Sequence, residues 1–161
     1  MEILTLGNET LKMKAAPIAD LNGDVFRIAA DMLEAMKEGR GIGLAGPQVG
    51  LLMRLFVIQL DRDQARVFIN PSIVQTSEEL TEYEEGCLSV PGMYADVIRP
   101  AEVRVQAWNE RGRPFTIDAD GLLARVILHE YDHLEGTLFI DRLSPMKRDR
   151  LVGMYEKKKR A

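Results

Sequence analysis

Apolar residues recur at helical spacing in residues 24–38 and define the first predicted element. The repeating positions are Val25, Ile28, Ala29, Met32, Leu33 and Met36. Asn22 or Asp24 can cap the start of this segment, and Gly39 follows its last turn. The pattern predicts an amphipathic helix near the start of the chain.

A second helical pattern covers Gly121–Glu135, between a cap residue at Asp118 or Asp120 and the stop signal Gly136. One side of it carries two apolar residues followed by two imidazoles: Leu122, Val126, His129 and His133. Because the apolar residues direct this side to the core, we expect the two histidines to face inward as well.

A third helix is predicted from Ser144 and Pro145, an N-cap residue followed by a first-turn proline, to about Lys157. Its inner face is expected to consist of Leu151, Met154 and Tyr155. The helix ends in a run of basic residues.

Runs rich in β-branched and aromatic residues separate the first two helices. They predict strands at Leu55–Leu60, Arg66–Asn70, Leu80–Glu84, Asp96–Arg99, Glu102–Asn109 and Pro114–Asp118. Short connections, such as the turn at Asn109–Gly112, favour antiparallel pairing. We therefore expect an α+β fold in which antiparallel β-sheets pack around the central histidine-bearing helix, with one helix N-terminal and one C-terminal to it. Residues 1–161 are predicted to form a single domain.

Composition narrows the class of protein. No apolar run is long enough to cross a bilayer, and the start at Met1–Thr5 lacks the features of a secretion signal. The single cysteine, Cys87, cannot form an intramolecular disulfide, as is usual in a reducing compartment. We therefore expect a cytoplasmic protein without a membrane partner.

Charge is distributed unevenly along the chain. Residues 144–161 hold seven Lys and Arg against two acidic residues, so residues 1–143 carry 14 basic and 23 acidic side chains. An acidic body argues against general nucleic-acid binding. The basic end is either a solvated helix terminus or a local contact with RNA phosphate.

Both histidines of the chain lie in His129-Glu130-Tyr131-Asp132-His133, which is the pattern H-E-x-x-H. Side chains four residues apart project from the same side of a helix, so both imidazoles can reach one divalent ion. Glu130 lies about 100° around the helix from His129, which suits a general base better than a ligand. The motif indicates a catalytic metal site.

A catalytic site of this type needs a third protein ligand, and no third histidine exists. A downstream carboxylate, Glu135 or Asp141, would complete a set of two histidines and one carboxylate. The alternative is Cys87, which lies in a short extended segment bracketed by Gly86 and Pro91. The spacing alone leaves these choices open.

Three segments together resemble the motifs of the peptide deformylases, in their bacterial type. They are Gly41–Gly50, Glu85–Ser89 and His129–Gly136, and their order and spacing agree with the family. The resemblance extends over nearly the full chain. It implies one catalytic domain that hydrolyses the formyl group from the N-terminal formyl-methionine of newly synthesised proteins and releases formate.

The resemblance also implies a ligand set and catalytic roles. Cys87, His129 and His133 would hold one divalent metal ion, natively ferrous iron, with zinc, nickel or cobalt able to take the same place. Glu130 would act as the base. The oxyanion donors would be the Gln48 side-chain amide and the Leu88 backbone N–H.

Substrate binding is expected beside the glycines of the first two motifs. Gly41, Gly43 and Gly86 allow the backbone to approach an extended peptide closely. An apolar slot for the methionine side chain is expected from Ile42, Leu122 and Val126, for which plain core packing is the alternative. In related deformylases the terminal helix contacts ribosomal RNA, so the resemblance extends the possible partners to the ribosome.

Two positions depart from the family pattern. Gly46 stands where alanine is usual, and we expect it only to loosen the loop. Leu128 replaces a glutamine whose amide could help to orient the ligands. The resemblance further implies that Glu85 and Arg99 pair inside the protein.

Two other functions share some of these features. A zinc endopeptidase uses H-E-x-x-H but needs a downstream histidine or carboxylate ligand. A metal-stabilised binding module without catalysis needs a closed site of four ligands, and two histidines with one cysteine supply only three.

Overall fold

The chain folds into three α-helices and seven strands, described for residues 1–161 by a computed structural model. The helices are α1 (Gly23–Glu38), α2 (Gly121–Leu134) and α3 (Pro145–Arg160). The strands are β1 (Gly43–Ala45), β2 (Leu55–Ile58), β3 (Arg66–Thr76), β4 (Leu80–Cys87), β5 (Val90–Pro100), β6 (Val103–Trp108) and β7 (Pro114–Ala119). None of the helices has the length and apolar character needed to cross a membrane.

All strand pairs are antiparallel and form two separate sheets. One sheet has five strands in the order β1-β2-β3-β6-β7. The other is a two-stranded ribbon of β4 and β5, whose register shifts between Gly86 and Cys87 just before the chain turns back at Val90. The α+β fold with antiparallel sheets that we expected is confirmed.

Helix α2 packs against both sheets, contacting β1 and β2 on one side and β5 on the other. Its apolar residues join the main hydrophobic cluster with Phe56 and Phe68, which stack with ring centroids 4.8 Å apart. At its C-terminal end, Arg54 Nη1 donates to the carbonyl oxygen of Leu134 at 3.2 Å and to Glu135 Oε2 at 2.8 Å. This buried arginine satisfies a free helix carbonyl and fixes the end of α2.

Local signals place the helices well. The side chain of Asn22 accepts hydrogen bonds from the backbone N–H groups of Asp24 and Val25, so Asn22 is the cap of α1. Asp120 precedes α2 but makes no side-chain cap hydrogen bond. Ser144 caps α3 by accepting from the N–H of Lys147.

Two expectations about apolar faces are wrong. Met154 does not lie on the inner face of α3, since it is 56% exposed whereas Leu151 and Tyr155 are buried. Only a narrow stripe at i, i+4 spacing docks on the ribbon, and Met154 lies beside it. Leu122, expected to face inward, is 46% exposed because the first turn of α2 borders an open cleft.

Candidate active site

The ligand atoms of Cys87, His129 and His133 converge at one point between β4 and α2. They all lie within 4.8 Å of one another, and Cys87 Sγ is 3.3 Å from His133 Nε2. The end of β4 supplies the cysteine, and successive turns of α2 supply the histidines. A soft sulfur donor with two imidazoles is a suitable set for iron, zinc, nickel or cobalt, and three protein ligands leave a position for water or substrate.

Neither carboxylate considered as the third ligand reaches this cluster. Glu135 accepts a hydrogen bond from Arg54 at the end of α2. Asp141 accepts from the N–H of Leu138 and from Arg148. The structure thus brings Cys87 to the two histidines, as the resemblance implies.

Glu85 fixes the orientation of His129 from behind. Its Oε1 lies 2.8 Å from His129 Nδ1, so that Nε2 is directed toward the ligand cluster. Arg99 donates two hydrogen bonds to Glu85, at 2.6 and 3.0 Å, which confirms the expected pairing. Burial by itself raises the pKa of Glu85, but hydrogen bonds from His129 and Arg99 outweigh it and lower the pKa to about 2.

Glu130 faces the same space and is 3% exposed. Its Oε2 is 4.0 Å from His129 Nε2, and its Oε1 is buried without a hydrogen-bond partner. Burial raises the pKa of the carboxyl to about 7, although the charge of His129 acts in the opposite direction. A buried carboxylate with a free oxygen and a pKa near neutrality is suited to accept and return a proton.

Gln48 is held rigidly at the edge of the cluster and is 1% exposed. Its Oε1 accepts from the backbone N–H of Ala45 at 2.9 Å. Its Nε2 donates to Ser89 Oγ at 3.1 Å and is directed at Cys87 Sγ at 3.4 Å. One N–H of the Gln48 amide is therefore held by Ser89, and the other faces the ligand cluster.

A cleft of about 580 Å³ opens in front of the cluster. Ten of the eleven predicted site residues line it: Ile42, Gly43, Gln48, Gly86, Cys87, Leu88, Leu122, Val126, His129 and Glu130. The remaining one, His133, lies behind the cleft wall and is 1% exposed. Ile42 and Leu122 border the cleft as exposed side chains, and Val126 is buried within the wall.

The glycines of the first motif are needed for close contacts. A Cβ on Gly43 would lie 2.5 Å from Glu130 Oε2, and one on Gly41 would lie 2.6 Å from Leu88 Cδ1. A Cβ on Gly46 would lie 2.7 Å from the carbonyl oxygens of Leu51 and Met53. The expectation that Gly46 only loosens its loop is therefore wrong, because the neighbouring backbone packs directly against it.

Comparison with known proteins identifies the family. The family model described as "Polypeptide deformylase" matches residues 1–149. The peptide deformylase of Chromohalobacter salexigens is 45% identical, over 100% of this chain and 96% of the relative. This chain belongs to the polypeptide deformylase family.

Solved structures of deformylases share the fold. The peptide deformylase from Legionella pneumophila superposes with a TM-score of 0.93 and 42% identity, over 99% of this chain and 95% of that one. A peptide deformylase from Synechococcus elongatus in complex with actinonin gives a TM-score of 0.91 and 40% identity, over 95% and 86%. The family model and these relatives give no support to the zinc endopeptidase alternative.

Sequence reasoning missed the buried charge network behind the deformylase site. Arg99 Nη1 donates to Asp132 at 2.9 Å, Arg142 pairs with the same carboxylate, and Arg125 donates to Glu85 at 2.7 Å. The available signal was Arg125 itself, a charged residue one turn before His129 and next to Val126, which was expected to face inward. Leu128, the other departure from the family pattern, packs against the main hydrophobic cluster.

Proposed function

We propose that this chain removes the formyl group from N-terminal formyl-methionine with one divalent metal ion held by Cys87, His129 and His133. As a member of the deformylase family it is a metal-dependent hydrolase, so the proposal concerns the residues and their roles. The observation that carries it is the convergence of three ligand atoms beside the Glu130 carboxylate, whose Oε1 is buried without a hydrogen-bond partner. When bound, the ion lowers the pKa of water and polarises the formyl carbonyl.

Glu130 accepts the proton of the attacking water. Its position opposite Gly43 places the carboxylate at the cleft wall, where water and the formyl carbon can meet. The same carboxyl group then gives the proton to the leaving amine, so that one water and one formamide become formate and a free N-terminus. Burial, which raises the pKa of this carboxyl in the metal-free protein, favours its taking up the proton of the water.

Gln48 and Leu88 stabilise the negative charge that grows on the former formyl oxygen. Ser89 and Ala45 hold the Gln48 amide in place before the substrate arrives, so little reorganisation is needed. The Leu88 backbone N–H follows Cys87 directly in the chain and lines the same cleft.

The cleft supplies the contacts for a peptide N-terminus. Gly43 begins the edge strand β1, to which an extended peptide can add as a further strand. Gly86 lies across the cleft, where a Cβ would meet the Tyr94 ring at 2.6 Å. The methionine side chain is assigned to the apolar part of the wall, formed by Ile42, Leu122 and Val126.

The proposal also covers the identity of the metal ion and a contact with the ribosome. The resemblance favours ferrous iron, and elemental analysis of anaerobically purified protein tests this choice. The exposed basic run 157–160 at the end of α3 is proposed to contact ribosomal RNA. Charge reversal at Lys157 and Lys159 should abolish co-sedimentation with ribosomes at low salt, and unchanged binding contradicts the contact. The predicted cytoplasmic location stays a prediction.

A formate-release assay tests the function directly. The substrate is formyl-Met-Ala-Ser, with and without a chelator, and an internally cleavable peptide blocked at both ends serves as the endopeptidase control. We expect chelator-sensitive formate release and no cleavage of the control peptide. Glu130→Gln should lower kcat by about 10²–10⁴ while metal content stays at one ion per chain. Cleavage of the blocked peptide, or full activity of Glu130→Gln, contradicts the assignment.

A further inference from the structure

Arg125 is a buried arginine that lies one helical turn before His129 and is 6% exposed. Its Nη1 donates to Glu85 Oε2 at 2.7 Å and to the carbonyl oxygen of Val97 at 2.9 Å. Its Nη2 donates to the carbonyl oxygen and to Oγ1 of Thr81, both at 3.0 Å. One side chain of α2 therefore binds both strands of the β4–β5 ribbon, which also carries Cys87.

These contacts occupy both oxygens of the Glu85 carboxylate. Oε1 lies 2.8 Å from His129 Nδ1 and accepts from Arg99 Nη2, whereas Oε2 accepts from Arg99 Nε and Arg125 Nη1. A carboxylate offers about four lone-pair sites, so all of them have partners. Rotation of the carboxylate away from His129 would break several charge-assisted hydrogen bonds at once.

We propose that Arg125 is a positioning residue of the metal site. It holds Glu85 in the one orientation that keeps the His129 ring turned with Nε2 toward the ligand cluster. It also fixes the separation between α2, which carries the histidines, and the ribbon, which carries Cys87. Arg99 approaches Glu85 from β5, so Arg125 is the arginine that restrains Glu85 from the ligand-bearing helix itself. This inference rests on the proposed metal site and deepens it.

The test compares Arg125→Met and Arg125→Lys with the wild type and with a matched control. Methionine keeps the length of the stem without the guanidinium, and lysine keeps the charge but cannot bridge Glu85 and both strands. The control is Arg104→Met, because Arg104 forms a two-point ion pair with Asp118 on the exposed edge of the five-stranded sheet.

Three readouts separate positioning from a structural role. The first is Co²⁺ binding to the metal-free protein, measured in competition with a chelator. Both Arg125 variants should bind Co²⁺ about 10–100-fold more weakly than the wild type, whereas Arg104→Met should bind it as the wild type does. The His129 Nδ1–H resonance of zinc-loaded protein should move or broaden, and the chain's two histidines make its assignment simple. We expect kcat to fall about 10-fold while KM stays within about twofold.

The inference is overturned if the variants are less stable but bind Co²⁺ and show the His129 resonance as the wild type does. Where Arg125→Met does not fold, the same measurements on Arg125→Lys decide the matter. Failure of the proposed function gives a different result, because then the wild type itself neither binds Co²⁺ at this site nor releases formate.

Discussion

Gly43 and Glu130 are in direct contact across the candidate active site. The α-carbon of Gly43 faces the carboxylate so closely that an added Cβ would lie 2.5 Å from Oε2 and 3.0 Å from Cδ. Glycine at this position therefore gives the proposed base the space it occupies, while the same residue begins the strand that borders the cleft. The first and third sequence motifs meet at this one contact.

Gly43→Ala should damage catalysis more than folding. The closest atoms in the way belong to the far end of the flexible Glu130 side chain, which can move aside. Val126 Cγ1, at 3.0 Å, needs to shift by only a few tenths of an ångström, so the fold can persist. A displacement of about 1 Å in a catalytic group can cost roughly 10² in rate, and we expect kcat/KM for formate release to fall by about that factor.

Gly153→Ala is the control for this change, since a Cβ there meets no atom within 4 Å. It should leave activity intact. Wild-type activity in Gly43→Ala would show that the contact does not restrict Glu130, and loss of soluble, folded protein would contradict the expectation that the fold persists.

The sequence predicts helices better than strands, and the reason is locality. Asn22 caps α1 and Gly136 follows α2, and these signals act within one turn of the element they bound. Strand β1, Gly43–Ala45, forms because it pairs with β2. Its glycine obscures the run of apolar residues by which a strand is predicted. Strand β5 begins at Val90, opposite Cys87, although Pro91 and Gly92 usually mark turns. These two residues have no partner in β4, and they form an irregularity in the ribbon before pairing resumes between Tyr94 and Gly86.

In the candidate site, too, local spacing could be predicted from the sequence, whereas contacts between separate segments could not. The spacing of His129 and His133 fixes their common side from the sequence alone. Which third ligand joins them depends on how β4 docks against α2, so the residues alone leave Cys87 and two carboxylates open. Position in the fold also decides the partners of Arg125, whose burial no spacing rule predicts.

Gly46→Ala, which restores the residue usual in the family, should destabilise this chain. The added Cβ would lie 2.7 Å from two backbone carbonyl oxygens, those of Leu51 and Met53. Overpacking of this kind costs about 1–3 kcal/mol, which exceeds the roughly 0.4–1 kcal/mol that alanine contributes by restricting the unfolded chain. Urea unfolding measures the difference, and an equal or higher midpoint for the variant contradicts the prediction.

Arg99→Met should weaken the fold by removing a buried partner of two carboxylates. Arg99 is 4% exposed and pairs with Glu85 and Asp132. Leaving buried charges with fewer partners costs on the order of 3 kcal/mol. Thermal and urea unfolding should show this loss, together with reduced metal content. The exposed pair of Arg104 with Asp118 provides the comparison, and its removal should leave the unfolding midpoint unchanged.

Gln48→Leu should lower kcat by about 10²–10³, which is the usual effect of losing one oxyanion donor. KM should change little, because the donor acts mainly on charge that develops in the transition state. Ser89→Ala removes only the hydrogen bond that holds Gln48 Nε2, and we expect a smaller loss, since the amide remains but is less restrained. Equal activity of Gln48→Leu and the wild type would remove Gln48 from the mechanism.

Glu85 should make the metal-free protein sensitive to acid. Its pKa falls from an ordinary value of 4.5 to about 2 on folding, so the ionised form stabilises the native state above about pH 4.5. This contribution, on the order of 3 kcal/mol, should be fully present near pH 6, about 1 kcal/mol smaller near pH 4 and about 2 kcal/mol smaller near pH 3. Urea unfolding of the wild type and Glu85→Gln in the presence of a chelator measures it, because the other carboxylates are common to both proteins. The stability difference between the two proteins should shrink as the pH falls, and a difference that stays constant from about pH 6 to 3 would mean that the carboxylate is not held ionised by His129 and Arg99.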